Sequence, residues 1–152
     1  MGVMRVYLDN CCFNRPFDDQ SSLTIRLETE AKLHIQEMVR VGQIALGWSY
    51  ILDYENAANP YEERLREIQK WNGLSDVFTG ETPEILADMN LGVAAGLKPL
   101  DALHVACAMA LACEVFLTVD KGILKKANII ENIQITNPIH FMVEWEEASH
   151  AG

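Results

Sequence analysis

The chain has 152 residues, 49% of them hydrophobic and 22% charged. That is the make-up of one folded domain with its own core, and it excludes disordered, collagen-like and low-complexity readings. With 12 Lys and Arg against 22 Asp and Glu the net charge is −10, which argues against a broad basic face for duplex nucleic acid and leaves only a local basic rim to guide one strand.

The N-terminal MGVMRVYLD lacks a signal peptide's apolar stretch, and no apolar run approaches the roughly 18 residues of a membrane span. Cys11, Cys12, Cys107 and Cys113 show neither zinc-ribbon spacing nor a disulfide framework. A cytoplasmic protein with reduced thiols, away from the membrane, is expected.

Met4–Leu8 predicts a strand closing at Asp9, followed by a polar loop, NCCFNRPFDDQ. From Ser22 a helix is expected, with Leu23, Leu27, Ala31, Ile35, Met38 and Val41 on its apolar stripe and Leu33 one position off it. Glu28, Lys32, Gln36 and Arg40 take another face, and Gly42 stops the helix. Gln43–Leu46 reads as a second strand, and Ser49 caps a short helix carrying Asp53 and Glu55 that Asn59-Pro60 breaks. A charged helix over Tyr61–Trp71 precedes a weak strand at Asp76–Phe78.

Thr82-Pro83 starts a helix that runs to Gly96, and Lys98-Pro99 separates it from LDALHVACAMALAC, a run apolar on nearly every side that predicts a central, buried helix. Glu114–Val119 is the clearest strand, ending at Asp120 before a short lysine-bearing helix. A last strand at Ile133–Thr136 is cut by Asn137-Pro138, and the tail packs Phe141 and Trp145 on the body, with mobility expected from about residue 147. Strands alternating with helices predict an α/β fold with a parallel sheet covered on both faces, a single domain over 1–152 without repeats or linkers.

In open parallel sheets the ligand crevice lies beyond the carboxyl ends of the strands. Asp9 and Asp120 sit at such ends. Asp101, in the first turn of the alanine-rich helix, reaches the same edge because the Glu84–Gly96 helix reverses the chain, and Glu55 lies near it. Taken singly, Asp120 reads as a helix cap, Asp101 as a partner of the helix dipole, and Glu55 as a solvated acid with Asp53 as a competing ligand. Asp9 is the strongest of the four, since a carboxylate closing a buried strand is costly to desolvate without a partner. Together they suit Mg²⁺ or Mn²⁺, because carboxylates about 4 Å apart repel by about 4 kcal/mol at an effective dielectric near 20 and a hard cation relieves the repulsion.

The run VYLDN ending at Asn10, the acid of YILDYE at Glu55, GLKPLDALHVACA around Asp101 and FLTVD ending at Asp120 resemble the PIN-domain nucleases, of the kind found as toxins in toxin-antitoxin pairs. The resemblance covers nearly the whole chain. It implies a three-layer α/β/α domain with a parallel five-stranded sheet, an acidic site of Asp9, Glu55, Asp101 and Asp120, and one or two Mg²⁺ or Mn²⁺ ions held chiefly by Asp9, Asp101 and Asp120. The activity it implies is metal-dependent endonucleolytic cleavage of single-stranded RNA, and its partners would be RNA, single-stranded or structured, a small antitoxin and a second copy in a homodimer. Asn10 departs from the Ser or Thr of many relatives, although its amide can still bond a ligand oxygen, whereas Thr118 keeps the hydroxyl often found there.

Arg15, Lys98, Lys121, Lys125 and Lys126 flank these motifs and are candidates for RNA phosphates. The competing reading is a non-catalytic PIN-like protein that binds RNA or a partner. Zinc at His104 and Cys107 with Cys11-Cys12 is disfavoured, because a histidine on an apolar face is more often a satisfied core residue. The loop after the first strand has no dinucleotide-binding glycine pattern.

Overall fold

The computed structural model describes residues 3–151; Met1, Gly2 and Gly152, the ends of the expected domain, lie outside the described residues. Strand β1 (Arg5–Leu8) leads into α1 (Asn10–Asn14), a 3-10 turn (Arg15–Phe17) and the long α2 (Leu23–Arg40). Next come β2 (Ala45–Ser49), α3 (Tyr50–Ala57), α4 (Glu62–Asn72), β3 (Val77–Thr79), α5 (Pro83–Ala94) and α6 (Pro99–Ala110). The chain finishes with β4 (Val115–Leu117), α7 (Lys121–Leu124), β5 (Gln134–Thr136) and α8 (Pro138–Ala151).

All five strands are parallel, in the order β3-β2-β1-β4-β5. β1 lies at the centre, between β2 and β4, and Val6, Tyr7, Leu8, Val115, Phe116 and Leu117 are buried, as strands covered on both faces require. The chain steps one way from β1 to β2 to β3 and the other way from β4 to β5, so right-handed crossovers put the intervening helices on opposite faces of the sheet. α5 packs on α6, and α8 returns to pack on α2. The carboxyl ends of β1 and β4 therefore flank the point where the order reverses, where a crevice opens.

Three local expectations are corrected. NCCFNRPFDDQ is largely helical, because Asp9 caps α1 through its side chain and its carbonyl accepts from Cys12 N at 2.9 Å. The second strand lies two residues later than expected, since Gly47, Trp48 and Ser49 pair with Val77, Phe78 and Thr79. Glycine suits that register: a Cβ at Gly47 would stand 2.8 Å from Cys113 Sγ.

The third correction concerns α2. Leu23, Leu27, Leu33 and Val41 are exposed, whereas Glu28, Lys32 and Gln36 are buried with Ile35 and Met38. The cause is tertiary. Glu28 accepts from Arg15 Nε at 3.0 Å, and the Lys32 ammonium lies 5.5 Å from the centre of the Phe13 ring, so polar side chains of α2 meet α1 and the 3-10 turn. Helical periodicity alone does not reveal such partners. Ser49 and Thr82 cap α3 and α5 as expected, and Phe141 packs 6.0 Å from Trp145 on α8.

Candidate active site

β1 delivers Asp9 to the crevice, where the Asp9 N–H donates to Leu117 O at 2.9 Å and fixes the strand end against β4. Asp9 is 6% exposed, and both oxygens of its carboxylate accept hydrogen bonds, leaving Oδ1 room for a further partner. Its Oδ2 accepts from Thr118 Oγ1 at 2.9 Å and from Cys11 Sγ at 3.3 Å, while Oδ1 accepts from Asn10 N at 2.8 Å. Thr118 Oγ1 also accepts from Asp120 N at 3.1 Å, so one hydroxyl links the acids that close the two central strands.

Glu55 comes from α3 and bonds His104 Nε2. His104 is buried on α6, one turn beyond Asp101, and its Nε2 lies 3.9 Å from Asp9 Oδ1. Donor atoms of Asp9, Glu55 and His104 all fall within 4.8 Å of one another. Behind the ring, Tyr7 Oη stands 2.6 Å from His104 Nδ1 and 2.7 Å from Ser49 Oγ, which also accepts from Leu52 N at the cap of α3. With Tyr7 donating to Nδ1, the imidazole keeps its proton on Nε2 and donates to Glu55. A buried chain thus runs from Ser49 through Tyr7 and His104 to an acid of the site.

Asp101 stands in the first turn of α6. Its carboxyl is pushed up to about 6, first by burial and then by the charges of Asp9 and Asp120, with His104 and Lys98 pulling the other way. Three acids from separate elements therefore share one electrostatic field. Asp120 caps α7, accepting from Ile123 N at 3.1 Å. Asp53, the competing ligand, accepts from Trp48 Nε1 at 2.8 Å, whereas Glu55 faces the acids.

Among the described residues no Lys or Arg forms an ion pair with Asp9, Asp101 or Asp120. The donor set is rich in hard carboxylate oxygens that no Lys or Arg ion-pairs, and this fits a hard divalent cation such as Mg²⁺ or Mn²⁺. Of the basic candidates, Arg15 is held by Asp18 at 2.9 Å and Glu28 at 3.0 Å. Lys98 is close enough to Asp101 to act on its carboxyl, Lys121 and Lys125 are exposed, and the Lys126 side chain crosses Gly96, whose φ of 107° ends α5.

Sequence reasoning missed His104, Tyr7, Ser49 and Cys11. Their one signal is spacing: His104 shares the helix face of Asp101 at i+3, and Tyr7 is the one residue of β1's buried run that carries a hydroxyl. Tyr7→Phe leaves His104 Nδ1 and Ser49 Oγ without that hydroxyl. Urea unfolding is expected to show a loss of about 1–3 kcal/mol; a loss below about 0.5 kcal/mol would mean the chain contributes nothing to the fold.

No family sequence model matches the chain, and no curated protein matches it by sequence. Solved structures do match. A chain of FitAcB from Neisseria gonorrhoeae superposes with a TM-score of 0.58 at 14% identity, over 89% of this chain and 99% of that one. A chain of VapBC-1 from nontypeable Haemophilus influenzae gives 0.56 at 16% identity, covering 89% and 98%. DNA-bound VapBC from Salmonella typhimurium gives 0.57 at 15% identity, covering 90% and 99%. This chain has a VapC-like PIN-domain fold. In that PIN fold the reversal between β1 and β4 is what gathers acids distant in sequence.

Proposed function

We propose that this PIN-fold protein is a metal-dependent endoribonuclease that cuts single-stranded RNA and acts as the toxin of a toxin-antitoxin pair. What supports the reading is the group of Asp9, Glu55 and His104, whose donor atoms lie within 4.8 Å of one another, with Asp101 close enough to feel the charges of Asp9 and Asp120. Asp9, Asp101 and Asp120 would hold Mg²⁺ or Mn²⁺, with Glu55 beside them. When bound, such an ion supplies Lewis-acid stabilisation of phosphoryl charge and activation of water. The chain's own residues prepare the site: Thr118, Cys11 and Asn10 N–H fix the rotamer of Asp9, and His104 orients Glu55. Activated water would serve as the nucleophile, so no serine, cysteine or lysine nucleophile of the chain is needed.

The structural relatives named above are VapBC and FitAcB, one of them DNA-bound, which supports an antitoxin as the partner of this chain as well. The net charge of −10 suits a basic antitoxin segment. A homodimer and a cytoplasmic setting complete the reading, and no helix among the described residues is long and apolar enough to cross a membrane.

The test is cleavage of a generic single-stranded RNA with Mn²⁺, alongside calorimetry of Mn²⁺ binding. Asp9→Asn is expected to weaken Mn²⁺ binding by at least about tenfold, the scale of a charge-assisted interaction. Unchanged affinity would remove Asp9 from the site. The second reading, a non-catalytic binding protein, draws on Asn10 in place of a hydroxyl residue, and metal binding without RNA cleavage would favour it.

A further inference from the structure

A cavity of about 300 Å³ is lined by Asn10, Glu55, Asn59, Tyr61 and Arg64 among others. It adjoins the acidic site through Glu55, whose carboxylate oxygen belongs to the Asp9 and His104 cluster. Arg64 is the one basic residue on this cavity's wall. Its guanidinium carbon stands 4.0 Å from the centre of the Tyr61 ring and 5.2 Å from that of Phe17.

Arg5, Arg15, Arg40, Arg66 and Lys70 each pair with an acid, and Arg64 is in no ion pair among the described residues. Two acids on the same helix do not claim it: Glu62 is taken by Arg66 and Glu67 by Lys70. Asp18, also on the wall, is taken by Arg15. Two aromatic rings therefore flank the guanidinium, whose N–H groups make no hydrogen bond among the described residues. In a chain of net charge −10, an arginine held this way beside a cluster of acids is best matched by an anionic, planar ligand.

Tyr61 stays 55% exposed although the guanidinium covers part of it, so ring surface remains for stacking. Single-stranded RNA offers both complements, phosphates for the guanidinium and unstacked bases for the ring. A second anionic chemistry, a carboxylate, would use the fork but leave the ring idle.

We propose that Arg64 and Tyr61 form a strand subsite, in which Arg64 contacts an RNA phosphate flanking the scissile position and Tyr61 stacks on a neighbouring base. This rests on the ribonuclease reading and adds to it the wall along which the strand leaves the acids: the cavity between α1, α3 and the start of α4. It also explains how an acidic protein holds RNA without a broad basic face.

The experiment measures Mn²⁺-dependent cleavage of a fluorogenic single-stranded RNA by the full chain at several salt concentrations, with Mn²⁺ affinity followed by calorimetry. Arg64→Met is expected to raise KM by about tenfold with kcat and Mn²⁺ affinity unchanged, and to make the dependence of log(kcat/KM) on log[salt] shallower by about 0.7, one phosphate of a single strand. Arg64→Lys should restore the salt slope without restoring all of KM, and Tyr61→Ala should raise KM and leave the slope alone. Circular dichroism shows whether each variant folds, and Arg64→Lys keeps the test open if Arg64→Met does not. KM and salt slope equal to the parent's in Arg64→Met overturn the subsite and leave the nuclease reading standing. A parent that cuts no RNA overturns that reading, and the subsite falls with it.

Discussion

Replacing Asp101 by Asn is expected to make the metal-free protein more stable and, in the same variant, to lower RNA cleavage by at least about a hundredfold, the scale seen when a group essential to charge stabilisation is lost. The two effects share one cause. The folded carboxyl sits at about 6 against an ordinary 3.8, raised by burial and by Asp9 and Asp120. Between those two values the folded protein binds more protons than the unfolded chain, so stability falls as pH rises through that window and the penalty is complete at pH 7. The full shift corresponds to about 3 kcal/mol, and solvent screening of this half-buried group reduces it to about 1–2 kcal/mol.

Asparagine removes that penalty and gives up only the dipole interaction of a first-turn acid, about 0.3–1 kcal/mol. Melting curves of the apo proteins at pH 4 and pH 7 decide the matter: the variant's advantage should appear at pH 7 and shrink at pH 4. Added Mn²⁺ should stabilise the parent and not the variant. An apo variant less stable than the parent at pH 7 that still cuts RNA would leave Asp101 as a helix-terminus acid and nothing more.

Lys32→Met is the second substitution with a large expected effect, and it concerns the fold alone. The ammonium is buried under Phe13 without an acid in ion-pair range, and burial pulls it down to about 8, against the raising influence of Cys12 and Glu67. Here the unfolded chain binds more protons between about 8 and 10.5, so stability rises with pH across that window and the folded state carries the penalty at neutral pH. A shift from 10.5 to about 8 corresponds to about 3 kcal/mol. Methionine keeps the length and apolar contact of the stem and carries no charge. Urea midpoints at pH 7 should therefore rise by the equivalent of about 2–3 kcal/mol, and the difference should fade above pH 10. Equal midpoints at pH 7 would show that the lysine is solvated after all.

The architecture was legible because its signals are local. Buried parallel strands are continuous apolar runs, and Ser49, Thr82 and Asp120 announce the helices they cap. Asp9, Asp101 and Asp120 stand out in the sequence for a related reason, since each caps or opens a helix whose start is written nearby, whereas Glu55 lies inside α3 without such a mark. What stayed hidden depends on partners far along the chain. The buried face of α2 carries Glu28 and Lys32 because Arg15 and Phe13 receive them, and no period of 3.6 encodes that. His104 likewise reads as a core residue until Tyr7 and Glu55 are seen on its two nitrogens; it is both buried and part of the site. Arg64 gave no signal within a helix of alternating charges, because what sets it apart is the pair of rings of Phe17 and Tyr61 that it meets in the fold.

The placement of β1 at the middle of the sheet has a consequence for how the protein is made. Asp9 is held by Thr118, 109 positions away, and its backbone bonds β4 as well. During synthesis the first strand must therefore wait, its apolar side chains lacking one of their two neighbours, until β4 and the residues after it leave the ribosome. Pairing across so long a loop is slow compared with local helix formation. A nascent chain would carry helices before it carries the crevice, and Asp9 would meet Thr118 only once β4 has been made. If the chain cuts RNA as proposed, the order of strands would act as a timer, keeping the ribosome that builds it safe until β4 has been made.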